Sequence, residues 1–271
     1  MPEGDTIFRA ARTLHQALAG KVVTRFETVL PKLARVDDQT PVTGRRIERV
    51  EAAGKNLIMS FSDDLILRTH MRMNGSWHIY RPGERWQRPR SDMRIVIATD
   101  DFVAVGFNIP VAEFHTARTL ARANDVRLLG PDLLGSSFDA EEILRRMRAR
   151  PKSEIANVLL NQRVLAGIGN VYKSEALFIA GVNPFRTVDA IDDVTLGRIV
   201  AISRKLLRYN VSPNTNARRT TGSLRGEDSL YVYGRAGKPC RKCGTLIERR
   251  AQGSDARLTY WCPRCQIPDR E

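Results

Sequence analysis

Two groups of residues at opposite ends of the chain have the types and spacing to do chemistry. Cys240, Cys243, Cys262 and Cys265 stand as Cys-x2-Cys-x18-Cys-x2-Cys in the last 32 residues. Paired thiolates at this spacing sit on two knuckles, and four of them close a tetrahedron around one zinc ion. A closed site leaves no position for water, so this zinc is expected to hold the fold and not to catalyse. At the other end, Pro2 precedes Glu3. Removal of Met1 turns Pro2 into a secondary amine whose pKa lies near the roughly 7.7–8.0 of α-amino groups, so a useful fraction of it is unprotonated and nucleophilic at neutral pH. Attack of such an amine on a sugar C1′ expels the base and leaves an iminium ion. The iminium acidifies the C2′ hydrogens and lets the 3′ phosphate leave. A carboxylic acid beside the amine, Glu3, can protonate the opening sugar. Alone, the pair also fits an ordinary N-terminus.

Two further segments have the types to meet phosphate. Gly167-Ile168-Gly169-Asn170 stands just before a helical pattern, where glycines admit close backbone approach and the helix offers free N–H groups. An ordinary helix-joining turn has the same pattern. Arg257-Leu258-Thr259-Tyr260-Trp261 alternates like a hairpin strand between the cysteine pairs and projects Arg257 outward, among the basic neighbours Arg241, Lys242, Arg249, Arg250 and Arg264. A solvated basic face reads the same way.

The elements that must position these residues follow from pattern. Ile7, Ala11, Leu14 and Leu18 repeat at helical spacing over 5–19, with Asp5 placed to cap the first turn. Short β-rich runs follow at 22–26, 46–52, 56–61, 65–70, 77–80, 93–99 and 102–105. Asp63-Asp64 and Asp100-Asp101 are placed as two-residue hairpin turns. This predicts an antiparallel sandwich or barrel. After Leu129-Gly130-Pro131-Asp132 the pattern turns helical at about 139–149, 152–161, 169–179 and 192–208, and a segment rich in Asn, Thr, Arg and Gly at 212–228 leads to the cysteines. The fold class is therefore α+β and multidomain, with a β-sandwich domain over 1–125, a linker at 126–134, a helical domain over 135–225 and a zinc finger over 226–271.

Composition narrows the partner. Lys plus Arg number 44 against 30 Asp plus Glu, a formal charge of +14, which points to a polyanion. The apolar fraction of 42% suffices for real cores. No apolar run is long enough to cross a bilayer and the N-terminus lacks a secretion-signal core, so a cytoplasmic protein is expected, acting at the nucleoid. In that compartment the cysteines read as metal ligands and not as disulfides.

Four separated motifs, Pro2-Glu3-Gly4, Gly54-Lys55-Asn56-Leu57, Asn161-Gln162 through Gly167-Ile168-Gly169-Asn170-Val171-Tyr172, and Val232-Tyr233-Gly234-Arg235, stand in one order across nearly the whole chain. In them the chain resembles the bacterial formamidopyrimidine-DNA glycosylase and endonuclease VIII family. The resemblance implies an N-terminal sandwich with its N-terminal helix, a helix-two-turn-helix domain, a four-cysteine zinc finger with one structural zinc, and damaged DNA as partner in a basic cleft between the lobes. It implies that Pro2 is the Schiff-base nucleophile, Glu3 the proton donor at the sugar and Lys55 a phosphate ligand assisting β-elimination. Asn170 would bind phosphates flanking the lesion, and Arg257 would grip the lesion phosphate and assist the δ step. His70 through Gly75 occupy the place of the family's void-filling loop, with Met73 the wedge and Arg72 and Asn74 beside it, although a core position for Met73 fits its type as well. Arg127, Gln162 and Lys173 complete the DNA-binding candidates.

Two departures shape the expectation. Val105-Gly106-Phe107-Asn108-Ile109-Pro110 stands where the formamidopyrimidine branch usually has Arg-Arg-Phe-Gly, which leans the chain toward the endonuclease VIII branch and oxidised pyrimidines. Asp5-Thr6 replaces the common Pro-Glu, so the usual carboxylate at position 6 is missing. The expected function is a bifunctional DNA glycosylase and abasic-site lyase of base excision repair, monomeric, working by β,δ-elimination. The alternatives are a lyase acting mainly on abasic or single-stranded DNA, and a non-catalytic damage binder.

Overall fold

A computed structural model of the chain describes residues 2–136, 138–212, 218–221, 223 and 228–267. It comprises two compact units, Met1–Leu128 and Leu129–Glu271.

The first unit opens with helix α1 (Gly4–Leu18), whose Ile7, Ala11, Leu14 and Leu18 are buried, as their spacing predicts. Asp5 is not its cap. Glu3 holds the N-cap position, while Asp5 lies inside the first turn, fully buried, and pairs with Arg9 at 3.8 Å. Next come β1 (Arg25–Thr28), α2 (Pro31–Gln39), β2 (Ile47–Ala53), β3 (Asn56–Phe61), β4 (Leu65–His70), β5 (Ser76–Tyr80), β6 (Met93–Ala98), β7 (Val103–Phe107) and β8 (Val111–His115). Two short helices, α3 (Ala117–Arg122) and α4 (Asn124–Arg127), end the unit.

The strands form two four-stranded antiparallel sheets, ordered β1-β6-β7-β5 and β2-β3-β4-β8. Their facing side chains, Ile95, Ile97 and Ala104 from one sheet and Leu57, Met59, Phe61 and Leu67 from the other, make one core with α1. Truncating such a residue to alanine costs about 2–5 kcal/mol. The β3–β4 hairpin turns through the three residues Ser62, Asp63 and Asp64, the last two left-handed at φ 58° and 55°, a backbone that Asp tolerates.

Three expectations shift. The first strand moves to Arg25–Thr28, leaving Val22 a single bridge to Arg46. Helix α2 and strand β8 escape the pattern, because α2 buries only Leu33 and β8 is half-buried at every position. The stretch 126–134 is not a free linker: Arg127 ends α4, Gly130 N–H donates to the Gln162 carbonyl at 2.8 Å, and Leu133 is buried in the second unit's core.

That second unit consists of α5 (Ala140–Arg148), α6 (Ile155–Leu160), α7 (Asn170–Ala180) and α8 (Asp193–Asn210), then the hairpin β9 (Glu248–Gln252) and β10 (Arg257–Trp261). Leu159, Leu165, Ile168, Tyr172, Leu177, Ile199 and Leu207 are among its core residues. Most of the segment 212–228 lies outside the described residues.

Candidate active site

In the first unit the N-terminal residues are fixed by the start of α1. Pro2 is half-buried, Glu3 is fully buried and extended, and the N–H groups of Thr6 and Ile7 donate to the Glu3 carbonyl at 2.9 and 3.1 Å. The positive end of the helix thus lies at the residues that follow Pro2.

Lys55 sits half-buried in the two-residue turn between β2 and β3, after Gly54 at φ 59°. The register sets Asn56 opposite His70, bringing Lys55 to the end of β4. Burial first, then the cations of Lys55, Arg72 and Arg68, push the His70 imidazole down to about 4, so it is neutral at pH 7. Its Nδ1 accepts the Arg72 backbone N–H at 3.0 Å. The sequence reading missed this histidine as an organiser of the site. It also missed the almost fully buried Arg68, whose guanidinium donates to Asn56 Oδ1 at 3.0 Å and pairs with Glu113 at 2.6 Å and Asp125 at 3.2 Å. Arg68 therefore ties the residue beside Lys55 to β8 and to α4, the helix that carries the exposed Arg127.

The loop after β4 separates two methionines. Met71 is a core residue at 2% exposure, whereas Met73 is 62% exposed between exposed Arg72 and Asn74. A core role for Met73 is thereby excluded. Gly75 closes the loop where a Cβ would lie 2.5 Å from the Met71 carbonyl oxygen. Phe107 and Ile109, by contrast, are wholly buried, so that turn presents no aromatic wedge.

In the second unit Gly167 takes φ 104°, open only to glycine, and Gly169 caps α7. Gln162 shapes this turn: its amide donates to the Leu160 and Ile168 carbonyls, both at 3.0 Å, and accepts the Gly167 N–H at 3.1 Å. Three of its hydrogen bonds thus go to the backbone of the turn, and the side chain is half-buried. Asn170, first residue of α7, donates to the Leu258 carbonyl at 2.7 Å and so lies next to Arg257 on the hairpin. Lys173 is 1% exposed and its Nζ donates to Thr259 Oγ1 at 2.7 Å, which braces the hairpin. Thr259 in turn donates to Gln252 Oε1 at 2.6 Å, and Gln252 donates to Glu154 at 2.7 Å. Arg257, at the hairpin's tip, pairs with Asp255 at 3.0 Å. Both are partly exposed, and such a pair, worth about 0–1 kcal/mol, yields readily to a phosphate.

The four cysteine sulfurs lie within 4.8 Å of one another, with Cys240–Cys265 at 3.9 Å and Cys243–Cys262 at 3.5 Å. Zinc–sulfur bonds of about 2.3 Å in a tetrahedron set the sulfurs about 3.8 Å apart, so the group fits one zinc ion. The segment leading in is held by Glu175, fully buried on α7, whose carboxylate accepts the N–H groups of Tyr231 at 2.7 Å and of Val232 and Tyr233 at 2.8 Å. No sequence pattern marked Glu175.

Family models match three consecutive stretches: the formamidopyrimidine-DNA glycosylase N-terminal domain over residues 1–131, the H2TH domain of that glycosylase over 129–221, and the zinc finger found in FPG and IleRS over 237–267. The "Probable endonuclease 8 2" of Streptomyces coelicolor is 45% identical over 98% of this chain and 94% of its own length. The chain belongs to the formamidopyrimidine-DNA glycosylase and endonuclease VIII family. Other members include the "DNA-(apurinic or apyrimidinic site) lyase Nei2" of Mycolicibacterium smegmatis, 39% identical over 98% of this chain and 99% of that protein, and the formamidopyrimidine-DNA glycosylase of Heliobacterium modesticaldum, 32% identical over 98% and 100%. The fold also matches the Lactococcus lactis formamidopyrimidine-DNA glycosylase solved with DNA containing an abasic site, at TM-score 0.83 and 21% identity over 98% of this chain and all of that one. In this family the four cysteines hold one structural zinc.

Proposed function

We propose that this protein, a DNA glycosylase and abasic-site lyase of base excision repair by family, removes oxidised pyrimidines through the amine of Pro2 and cuts the strand by β,δ-elimination. The carrying observation is the placement of Pro2 directly before a fully buried Glu3, at the positive end of α1. After loss of Met1, the Pro2 nitrogen attacks C1′ while Glu3 donates its proton to the opening sugar, and the base leaves. The resulting iminium draws electrons from the C2′–H bond as its proton departs, and the 3′ phosphate leaves with its electron pair. Lys55 holds the phosphate and assists this β step; Arg257 grips the lesion phosphate and assists the δ step. Asn170 and Arg127 bind flanking phosphates, and Met73 fills the space that the flipped nucleotide vacates, with Arg72 and Asn74 beside it. Burial of Phe107 and the 45% identity to an endonuclease 8 relative support the pyrimidine assignment. The reading includes a monomer acting in the cytoplasm, where the four cysteines, none in a disulfide, stay reduced and available to zinc.

A second reading, abasic-site cleavage as the main activity, is favoured by the missing carboxylate at position 6 and by the relative named as a lyase. Borohydride trapping on an oligonucleotide with one abasic site tests the shared chemistry. A covalent adduct is expected from the processed protein, and at least about a thousandfold less from protein retaining Met1. Equal trapping by both forms would move the nucleophile away from Pro2. Release of an oxidised pyrimidine from intact DNA then separates the two readings.

A further inference from the structure

Strands β6 and β7 alternate their side chains between two faces. Ile95, Ile97 and Ala104 enter the core between the sheets, while Val96, Ala98, Val103, Val105 and Phe107 form a separate cluster on the outer face with Tyr80 and Met93. The segment joining β5 to β6, Arg81-Pro82-Gly83-Glu84-Arg85-Trp86-Gln87-Arg88-Pro89-Arg90, crosses that outer face. Half-buried Trp86 pins it there, edge-on to Phe107 with ring centres 5.7 Å apart and stacked on Tyr80 at 6.4 Å. With its apolar residue turned inward, the segment leaves Arg81, Arg85 and Arg90 exposed and Arg88 half-buried. They line an open groove of about 640 Å³ formed by Arg25, Arg81, Arg85, Arg88, Arg90 and Trp86.

Three carboxylates face these five guanidinium groups, one of them Asp101, which pairs with Lys21 and feels the charge of Arg81. Glu84 accepts the Arg81 backbone N–H at 2.8 Å, and Glu27 pairs with Arg25 at 3.2 Å and Arg90 at 3.8 Å. Neither Arg85 nor Arg88 makes an ion pair among the described residues. Folding alone gives no reason to gather a surplus of cations, which repel one another, on a face whose apolar cluster one tryptophan already covers. A polyanion does, since guanidinium forks match phosphate oxygens two bonds at a time. The segment runs from Tyr80, opposite Val103, to Asp92, whose carbonyl accepts the Asn108 N–H at 2.8 Å, and so spans the sheet from one strand end to the other. Five strand residues cover about 17 Å, the length of about five stacked nucleotides at about 3.4 Å each.

We propose that this arginine groove is a second nucleic-acid track, which holds single-stranded DNA on the sheet face turned away from the core and outside the site of Pro2 and Lys55. Cations beside an indole edge suit a flexible strand, whose phosphates meet the guanidinium groups and whose bases find an aromatic surface. An acidic peptide would meet the charges only. The inference rests on the protein's handling DNA and is independent of the Pro2 chemistry.

The test compares wild-type protein with the pair Arg85→Glu/Arg88→Glu by fluorescence anisotropy on an undamaged 30-nucleotide oligothymidine between 50 and 200 mM salt. Affinity is expected to fall about tenfold, and the slope of log affinity against log salt to shrink by about 1.4, from about 0.7 per lost contact. Cleavage of a short duplex with one abasic site should proceed at the wild-type rate, which separates failure here from failure of the Pro2 reading. The Arg85→Lys/Arg88→Lys pair should keep most of the slope, showing that charge and not misfolding is read. Unchanged affinity and slope in the Glu pair would overturn the proposal. So would polyglutamate of equal charge binding at least as tightly as oligothymidine and losing that binding in the same variant, an outcome that assigns the groove to an acidic protein.

Discussion

The Pro2 region and the hairpin that carries Arg257 reach their geometry by different physical routes. Around Pro2 the backbone does the work: the start of α1, the two-residue turn at Gly54-Lys55 and the β3–β4 register place the functional groups, and the core beneath is continuous and apolar. Beneath the hairpin the work falls to polar side chains and a metal. Lys173, Thr259 and Gln252 form a buried chain of hydrogen bonds that ends on the half-buried Glu154, and four cysteines gather where apolar cover is thin. A core of apolar contacts loses stability gradually under substitution, whereas a buried polar chain or a metal centre fails when one member is removed.

The largest effect should come from the metal. Cys262→Ser, or chelation at neutral pH, should release one zinc per chain and unfold residues 237–267. The binding energy lost is on the order of 10 kcal/mol. Hydrogen exchange by mass spectrometry should show protection lost there and kept over β2–β4; loss in both places would break the contrast. A smaller effect is expected for Thr259→Val, which takes one acceptor from the buried Lys173 side chain and breaks its link to Gln252, at a cost of about 1–3 kcal/mol. Urea denaturation measures that cost, and Leu258→Ala at the exposed neighbouring position should cost under about 0.5 kcal/mol. If the two variants cost the same, the polar chain is not what supports the hairpin.

The smallest effect belongs to the other region and concerns pH. Because the folded His70 has its pKa lowered to about 4 from 6.5, the unfolded chain binds more protons between those values. Its contribution to stability is therefore present above about pH 6.5 and is lost as pH falls toward 4. His70→Gln should flatten this part of the melting-temperature profile. A profile of the same slope in the variant would place the acid sensitivity elsewhere.

The two regions also differed in what pattern alone revealed. The boundaries of β3 and β4 were readable to the residue because alternation and the Asp63-Asp64 turn agree, and the cysteine spacing named its metal before any coordinates. Helix α2 and strand β8 were hidden because neither has a fully apolar face. The intramolecular partners of Lys173 and Gln162 were not legible for a different reason. Lysine and glutamine are surface types by composition, and only a partner distant in sequence, Thr259, or a turn that needs an amide at its centre, draws them inward.

The sequence by itself determined the local and the stoichiometric: an amine at position 2 if Met1 is lost, four thiolates at knuckle spacing, a net charge of +14 and the order of motifs along the chain. Tertiary structure decided which of two nearby methionines is exposed, that Asn170 meets the carbonyl beside Arg257 across 88 residues, that Glu175 clamps the approach to the zinc module, and that the arginines of 81–90 face one groove. The division has a physical cause. Covalent identity and short-range periodicity are properties of neighbours in the chain, whereas burial, charge environment and hydrogen-bond partnership belong to neighbours in space, which only the folded backbone brings together.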